Sequence, residues 1–216
     1  MHTIKKQLGS KLTRQRLAAF LAAHSTDMLT LEVGAKNRPY QHFFPCAIAG
    51  DIVFYPSLDV QFDAHALPFA PATFGVILCT EVLEHCINPP VVIGEFYRVL
   101  KPGGKLIMTT RFLFPIHDAP HDYFRFTKYG LQSLCRAFNK VAVTEEAATV
   151  ETLGVLLQRL AYQVNWKLPL VRLALHLLAR ALVRCQWLVS AEYGDVSRKR
   201  REQNIMASGY YLVAVK

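Results

Sequence analysis

Two acidic residues near the start of the chain have a spacing that suits a ligand with paired hydroxyl groups. Glu32 lies in the apolar run of residues 30–33, which ends at Gly34, and Asp51 ends the next apolar run, 17 residues after that glycine. A carboxylate about 20 residues past a glycine turn binds ribose hydroxyls in nucleotide-binding βαβ units. The spacing therefore indicates a nucleoside site. Asp59 is the alternative to Asp51, because a nearby proline turn leaves the end of this strand open.

Two further acidic residues follow later apolar runs. Asp63 and Ala64 lie in the loop after one such run, and Glu81 and Val82 directly follow the run of residues 74–79. In open α/β sheets, ligands bind at the carboxyl ends of the strands. We therefore expect these residues to share one edge of a sheet.

The segment of residues 112–127 is dense in aromatic and ionisable side chains. His117 and His121 are candidate general bases, and Asp118 or Asp122 can orient their imidazole rings. A loop of this composition after a strand is well placed to hold a second substrate.

Three alternatives compete with this interpretation of the histidines. A metal site is disfavoured, because Pro120 interrupts any helix that would align the imidazoles of His117 and His121. The histidines can also form only local hydrogen bonds. His85 is the third alternative, either as the base or as a packed structural histidine.

The elements that position these residues alternate between strands and helices. The apolar runs predict strands at residues 30–33, 47–51, 74–79, 105–110, 141–143 and 209–215. Helical spacing predicts helices at residues 12–23, 89–100 and 128–138, and two more within 153–189 that are separated near Pro169. This alternation is typical of an α/β fold with a doubly wound parallel sheet.

Composition limits the classes of partner and compartment. The chain has 216 residues, of which 25 are Lys or Arg and 16 are Asp or Glu, giving a net charge of +9. Such a surface attracts phosphates, acidic lipid headgroups or nucleic acid. The five scattered cysteines form no C-x-x-C pair, which favours buried, reduced thiols in a cytoplasmic protein.

The segment of residues 1–27 is basic, with no acidic residue before Asp27, a bias that organellar transit peptides share. We favour a basic amphipathic helix, because Leu17, Phe20 and Leu21 make an apolar helical face.

A second basic pattern lies near the carboxyl end. Arg172, His176, Arg180 and Arg184 recur every fourth residue within the predicted helix 170–189, which gathers them along one side. Central arginines disfavour a transmembrane span, so we expect a helix that lies in an interface or covers the core. Together with the basic run 198–201, the pattern predicts an anionic membrane surface or a phosphate-bearing lipid as partner. Nucleic acid is disfavoured, since no RNA-binding module is recognisable.

Several motifs in order resemble those of class I S-adenosylmethionine-dependent methyltransferases, and most closely the methyltransferase type 11 family. They are LEVG at residues 31–34, Asp63-Ala64, EVLEH at 81–85, and LKPGG at 100–104. The resemblance covers about residues 28–130, and residues 209–215 are similar to the family's last strand. It implies a Rossmann-like seven-stranded sheet with an antiparallel last strand, here with a helical insertion before that strand.

The resemblance also implies a cofactor, S-adenosyl-L-methionine, and a role for each matched residue. Glu32, Gly34 and Ala35 would line its methionine end, Asp51 would bind the ribose, Asp63 and Ala64 would flank the adenine, and Glu81 and Val82 would lie beneath it. The family usually has glycine where this chain has Lys36. The lysine would either pair with the cofactor's carboxylate or crowd the pocket.

The predicted function is methyl transfer to a small or lipid-linked acceptor, with an inactive methyltransferase-like binding domain or an RNA methyltransferase as alternatives. The predicted domains are an N-terminal helical segment at 1–27, a core at 28–150 with 205–216, and a helical insertion at 151–204. We expect a cytoplasmic protein, peripheral to a membrane if the basic helix binds lipid. The sequence leaves the methylated atom and the oligomeric state open.

Overall fold

The computed structural model describes residues 13–216, which form a seven-stranded sheet, a two-stranded hairpin and five α-helices. The strands are β1 (Thr30–Val33), β2 (Ala47–Asp51), β3 (Val60–Gln61), β4 (Phe74–Thr80), β5 (Leu100–Arg111), β6 (Lys140–Glu145), β7 (Tyr193–Asp195), β8 (Arg200–Arg201) and β9 (Gly209–Val215). The α-helices are α1 (Arg14–Ala22), α2 (Pro89–Val99), α3 (Lys128–Leu134), α4 (Thr149–Gln163) and α5 (Pro169–Leu182), and short 3-10 helices cover Leu83–His85 and Gln186–Leu188.

The residues divide into two compact units. The sheet unit comprises Phe20–Phe112, Ile116–Thr144 and Tyr210–Lys216, and the helical unit comprises residues 13–19, Leu113–Pro115 and Glu145–Gly209. The domain limits drawn from the sequence stay predictions.

The large sheet has the strand order β3-β2-β1-β4-β5-β9-β6. The strands from β3 to β5 are parallel, and β1 lies between β2 and β4. The last strand is antiparallel: the amide of Gly103 donates to the carbonyl of Lys216 and the amide of Lys216 donates to the carbonyl of Gly104. The predicted α/β fold with an antiparallel last strand is therefore confirmed.

The core of the sheet unit forms because β1 and β4 are buried on both faces. Helix α2 contacts β5, and its apolar side at i, i+3 and i+4 spacing buries Pro89, Val92, Ile93 and Phe96. The burial of apolar side chains away from water is the main contribution to the stability of such a unit.

The helical unit contains α4 and α5, which approach closely. A Cβ atom on Gly154 of α4 would lie 2.7 Å from the carbonyl oxygen of Ala179 in α5, so only glycine permits this packing. Gln186 joins the 3-10 helix that follows α5 to the first turn of α4, because its side-chain oxygen accepts a hydrogen bond from the amide of Val150.

Three predicted boundaries are wrong. Strand β5 begins at Leu100 rather than residue 105, because Leu100 already pairs with Phe74 before a bulge. Helix α3 ends at Leu134, and α5 ends at Leu182, so Arg184 lies outside the helix in which the sequence placed it.

The N-terminal prediction is met only where the structure describes it. Helix α1 covers most of the predicted helix 12–23, and its Phe20 stacks on Tyr211 with ring centroids 4.6 Å apart; residues 1–12 lie outside the described residues. All five cysteines lie in the described part and are free thiols, as predicted, but the prediction that they are buried is wrong for Cys46, which is exposed, and for Cys185, which is half-buried. Of the helices within residues 13–216, none has both the length and the apolar content needed to cross a bilayer.

Candidate active site

The ends of three neighbouring strands bring the predicted cofactor residues to one edge of the sheet. Val33 of β1 is level with Gly50 of β2 and with Cys79 of β4. Gly34, Asp51 and the end of β4 are therefore at the same height, on strands about 5 Å apart. The amides of Gly34 and Ala35 both donate to the carbonyl oxygen of Gly50, at 2.9 and 3.1 Å, which fixes the turn after β1.

Gly34 is required by both its conformation and its neighbour. Its φ is +71°, and a Cβ atom there would lie 2.3 Å from a methyl carbon of Val82. Residues with a side chain rarely adopt such a backbone, and this one would also collide with Val82. The glycine turn and the segment after β4 are therefore in direct contact, as a shared site requires.

Glu32 carries a buried carboxyl group with one unpartnered oxygen. Its exposed fraction is 2%, and its Oε2 atom has no hydrogen-bond partner among residues 13–216. Burial raises the pKa of Glu32 to about 7, although the charge of Arg38 opposes the shift. An unpaired carboxylate is costly in such a place. A ligand that brings an ammonium group would repay part of that cost, so Glu32 fits the methionine end of the expected cofactor.

The two candidates for a ribose ligand have different surroundings. Asp59 is occupied by the protein itself: its Oδ2 accepts from the amide of Ala49 at 2.8 Å, and its Oδ1 lies 3.3 Å from Arg38. Asp51 is the last residue of β2, and its Oδ1 accepts a hydrogen bond from the amide of Val53, at 3.1 Å. Asp51 is therefore the better placed of the two for a ligand at the edge.

Asp63 and Ala64 follow β3, the strand next to β2. Asp51 is level with Gln61, and the amide of Phe62 donates to the carbonyl of Asp51. The Oδ1 atom of Asp63 accepts from the amide of His65 at 2.9 Å, which lowers the pKa of this carboxyl group. Asp63 is exposed and ionised, and Ala64 beside it is buried, so the pair offers one polar and one apolar contact.

Glu81 has an unusual backbone directly after β4, with a φ of +58°. Its carboxylate forms an ion pair with Arg111, and its Oε1 accepts from the hydroxyl of Thr109 at 3.3 Å. Burial raises the pKa of Glu81, and Arg111 opposes that shift. The side chain is half-buried at the same edge, held by groups at the end of β5.

Lys36 also has a left-handed backbone, with a φ of +46°. This conformation explains why glycine is usual at the position in the family that the chain resembles. Its side chain is exposed, and its carbonyl oxygen accepts a hydrogen bond from the hydroxyl of Ser57 at 2.9 Å. The lysine therefore occupies a glycine position without blocking the turn.

The loop with the candidate bases folds over the segment after β4. The amides of Tyr123 and Phe124 both donate to the carbonyl oxygen of Glu84. Asp122 accepts a bidentate pair of bonds from Arg125, at 2.5 and 2.7 Å, and one from the amide of His117, at 2.8 Å. These partners, Arg125 first, keep the pKa of Asp122 far below its usual range.

Two imidazole rings meet beside this carboxylate. The ring of His117 has its Nδ1 3.4 Å from Oδ2 of Asp122, and its centroid lies 4.8 Å from that of His85. Burial lowers the pKa of His117 to about 4, against the opposing charge of Asp122. His85 has its Nδ1 2.6 Å from the carbonyl oxygen of His121. With a proton on Nδ1 of His85, its Nε2 is left as an acceptor.

The other two candidates in the loop point to different partners. His121 is exposed, and its Nδ1 lies 3.0 Å from the hydroxyl of Tyr123. Asp118 has a φ of +60°, and its carbonyl accepts from the amide of His121. The carboxylate beside the ring of His117 is therefore Asp122.

Among the described residues, one group of side chains has the ligand atoms and spacing of a metal site. The ligand atoms of Glu84, His85 and His117 lie within 4.8 Å of one another. Glu84 is fully buried, its Oε2 accepts from the hydroxyl of Thr110 at 2.7 Å, and its Oε1 has no hydrogen-bond partner within residues 13–216. These three residues could hold a divalent cation. The sequence-based prediction of no metal stays a prediction.

Sequence reasoning missed several of these groups. Glu84 was visible only as a letter of the EVLEH motif, whereas Arg111 and Arg125 had no signal of their own. Both arginines are recognisable only from the carboxylates that they reach, Glu81 and Asp122.

Residues 31–108 match the model of a family described as a methyltransferase domain. The resemblance to class I S-adenosylmethionine-dependent methyltransferases, type 11, is confirmed over that part of the chain.

Two curated relatives agree with this match. A ubiquinone biosynthesis O-methyltransferase of Dechloromonas aromatica is 33% identical over 37% of this chain and 40% of its own length. A ubiquinone/menaquinone biosynthesis C-methyltransferase of Haemophilus ducreyi is 33% identical over 33% of this chain and 27% of its own length. The chain thus spans less than half the length of these relatives.

Two solved structures share the fold at low identity. A S-adenosylmethionine-dependent methyltransferase of Archaeoglobus fulgidus matches all of this chain and 99% of its own, with a TM-score of 0.58 and 13% identity. A Haemonchus contortus phosphoethanolamine N-methyltransferase, solved with phosphomonomethylethanolamine and S-adenosylhomocysteine, matches 94% of this chain and 53% of its own, with a TM-score of 0.56 and 13% identity.

Proposed function

We propose that this chain, whose residues 31–108 belong to the methyltransferase type 11 family, transfers a methyl group from S-adenosyl-L-methionine to a hydroxyl group of a small or lipid-linked acceptor. The observation that carries the proposal is the edge where β1, β2 and β4 end, with the buried carboxyl group of Glu32, one of whose oxygens has no hydrogen-bond partner within residues 13–216, on the middle strand. The family match and the named relatives support both methyl transfer and the cofactor.

The residues at the edge suit the parts of this cofactor. S-adenosylmethionine, when bound, supplies an electrophilic methyl group on a sulfonium. Glu32 and the exposed Lys36 would receive the ammonium and the carboxylate of its methionine part. Asp51 would accept hydrogen bonds from the ribose hydroxyls, and Asp63 would accept one from the adenine amino group, with Ala64 against the ring. Glu81 and Val82 would lie beneath the bound cofactor.

The acceptor's proton goes to the imidazole pair. His117 is neutral at physiological pH because its pKa is about 4, so it can accept a hydrogen bond from a hydroxyl group. Asp122 stays ionised beside the ring and fixes the backbone of His117 by accepting from its amide, and His121 fixes His85 through its carbonyl oxygen. Methyl transfer to a hydroxyl needs mainly this positioning and the removal of one proton.

The acceptor class is drawn from the relatives. Two of them are named for ubiquinone biosynthesis, one as an O-methyltransferase. A lipid-linked hydroxyl acceptor is consistent with these names and with the net charge of +9, which would favour an anionic membrane surface as the place where such an acceptor is met. The alternative, an inactive methyltransferase-like binding domain, predicts no binding of S-adenosylmethionine.

Calorimetry with S-adenosylmethionine tests the cofactor assignment. We expect the wild-type chain to bind it at micromolar concentration. The Asp51→Ala variant should bind about tenfold or more weakly, because a charge-assisted hydrogen bond contributes about 1.5 to 3 kcal/mol. The matched control is Asp59→Asn, which keeps the side chain's size at the alternative position. Equal losses in the two variants, or no binding by the wild type, would contradict the assignment.

Turnover measurements test the proposed base. The His117→Ala variant should lose about 100-fold or more in kcat on a hydroxyl acceptor and keep its affinity for S-adenosylmethionine. His42→Ala is the control, because His42 is an exposed histidine of the same unit. A loss of activity with EDTA that zinc or magnesium restores would instead assign His85, His117 and Glu84 to a cation.

A further inference from the structure

The outward side of α5 is apolar over its whole length. Four leucines share this side and are exposed; we call them the leucine face, which consists of Leu170, Leu173, Leu177 and Leu178. Leu170 is 76% exposed and Leu177 is 56% exposed. The i, i+3, i+7 and i+8 spacing makes them one continuous stripe. Single exposed leucines are ordinary on a protein surface, but a continuous stripe marks an interaction site.

The inward side of the same helix carries the polar groups. The Nε atom of Arg172 donates to the carbonyl oxygen of Ala161 in the last turn of α4, at 2.8 Å. The ring of His176 is buried, with its centroid 5.1 Å from that of Tyr162. These contacts, with the close approach at Gly154, fix the rotation of α5. A helix that served only its own core would turn the leucines toward α4 instead.

Large apolar side chains near both ends of α5 are exposed as well. Leu168 precedes the helix, and Trp187 and Leu188 follow it, with Trp187 80% exposed. Trp166 is also exposed, and these are the two tryptophans of the chain. Tryptophan is enriched where a membrane meets water, because its ring is apolar and its N–H is polar.

The stretch of sequence that contains this surface is basic. The sequence has no Asp or Glu between Glu151 and Glu192, whereas Lys167, Arg180 and Arg184 all lie within that stretch. A symmetric pairing of two copies through this surface would bring like charges together. An anionic lipid surface complements both the leucines and the charges.

We infer that the helical unit binds the surface of an anionic lipid bilayer through the leucine face of α5, with Trp166 and Trp187 at the level of the headgroups. Of the basic set that the sequence pattern suggested for this contact, Arg172 and His176 contact α4 and Arg180 is exposed, so the leucine face makes the lipid contact and the exposed arginine supports it. The inference does not depend on methyl transfer, because it concerns a surface of the helical unit.

Vesicle flotation with the full chain tests it. We expect the wild type to bind phosphatidylcholine vesicles that contain phosphatidylglycerol, and to bind pure phosphatidylcholine vesicles about tenfold or more weakly. The emission of the two tryptophans should shift to shorter wavelength on binding. A double variant, Leu173→Glu with Leu177→Glu, should lower the partition coefficient by about tenfold or more and abolish the shift.

The control is Val91→Glu, which adds a charge at an exposed apolar position of α2. It should bind vesicles within twofold of the wild type, and circular dichroism should give the same helix content for all variants, which reports that each is folded. Undiminished vesicle binding by the double variant would overturn the inference. A stable dimer in light scattering that the double variant dissociates, without vesicle binding by the wild type, would overturn it in favour of a second copy as the partner.

Discussion

Helices α2 and α5 share an apolar periodicity and present it in opposite directions. In α2 the apolar side faces the sheet, and the polar side carries an ion pair between Glu95 and Arg98 that also holds a neighbouring loop. In α5 the leucines face outward, and the polar Arg172 and His176 lie against α4. Both helices begin with proline, so the difference lies in what each side contacts.

The comparison teaches that periodicity predicts a helix and an apolar side but not the partner of that side. Burial decides which of two similar stripes contributes to the stability of the fold and which is left for an external partner. A stripe that is exposed in the folded chain contributes little to folding. Folding therefore does not require the leucine face of α5, which is available for contact with an external partner.

The sharpest way to break this comparison is to truncate one residue on each stripe. Phe96 of α2 has no exposed surface, so Phe96→Ala should lower the free energy of unfolding by about 3 to 5 kcal/mol. Leu177→Ala should change it by less than about 0.5 kcal/mol, because Leu177 is already largely in water. Urea denaturation followed by circular dichroism measures both.

Similar losses in the two variants would show that the leucine face is covered within the folded chain. Val91→Ala on the exposed side of α2 is the matched control, and it should behave like Leu177→Ala. A loss of more than about 2 kcal/mol at Leu177 would remove the basis for the comparison.

Local signals explain which parts of the fold the sequence predicted. The bounds of β2 agree with the prediction because a short apolar run there ends in an acid. The start of β5 was misplaced because Lys101-Pro102-Gly103-Gly104 has the composition of a turn, yet pairing with β4 and β9 holds it in the sheet. Tertiary pairing overrode the local signal.

The site was less predictable, because its members meet only through the fold. The order of the strands follows from α/β rules, so the shared edge of Gly34, Asp51 and Glu81 could be expected. The meeting of His85 and His117 could not, since it depends on backbone hydrogen bonds from residues 123 and 124 to Glu84. No periodicity in the sequence records such a contact.

The same contrast extends to polar groups. Apolar side chains are usually buried and charged ones exposed, and each unit has an exception. In the helical unit the exception is the exposed leucines, and in the sheet unit it is the buried Glu32. Exceptions of this kind concentrate at functional sites, where a ligand compensates for their cost.

Replacing Glu32 should stabilise the chain in a pH-dependent manner. The pKa of Glu32 is about 7 in the folded chain, above its ordinary value of 4.5, so the folded state holds a proton that the unfolded state releases in that range. Stability contributed by this group is present below pH 4.5 and is lost as the pH rises toward 7. Glu32→Gln should therefore gain about 2 to 3 kcal/mol relative to the wild type between pH 4.5 and 8.

Denaturation of both proteins at pH 5 and pH 8 measures this difference, and other titrating groups cancel in the comparison. The affinity of the wild type for S-adenosylmethionine should rise through pH 7 as Glu32 ionises, whereas the variant should bind weakly at every pH. An equal stability difference at both pH values, or an unchanged affinity in the variant, would remove Glu32 from the site.

Lys36 is the smallest exception, and its effects on stability and binding should have opposite signs. Lys36→Gly places the residue that suits a φ of +46° at this turn, so the free energy of unfolding should rise by about 1 kcal/mol at most. If the ammonium group of Lys36 pairs with the cofactor's carboxylate, the same variant should bind S-adenosylmethionine about threefold to fivefold more weakly, because an exposed ion pair contributes up to about 1 kcal/mol.

Calorimetry at low and high salt separates the effect of the lysine's charge from the effect of the backbone conformation. Lys140→Gly, at an exposed strand position, is the control for removing a lysine. Tighter binding by Lys36→Gly would mean that the lysine crowds the turn, and the sheet unit would then hold its cofactor despite this residue.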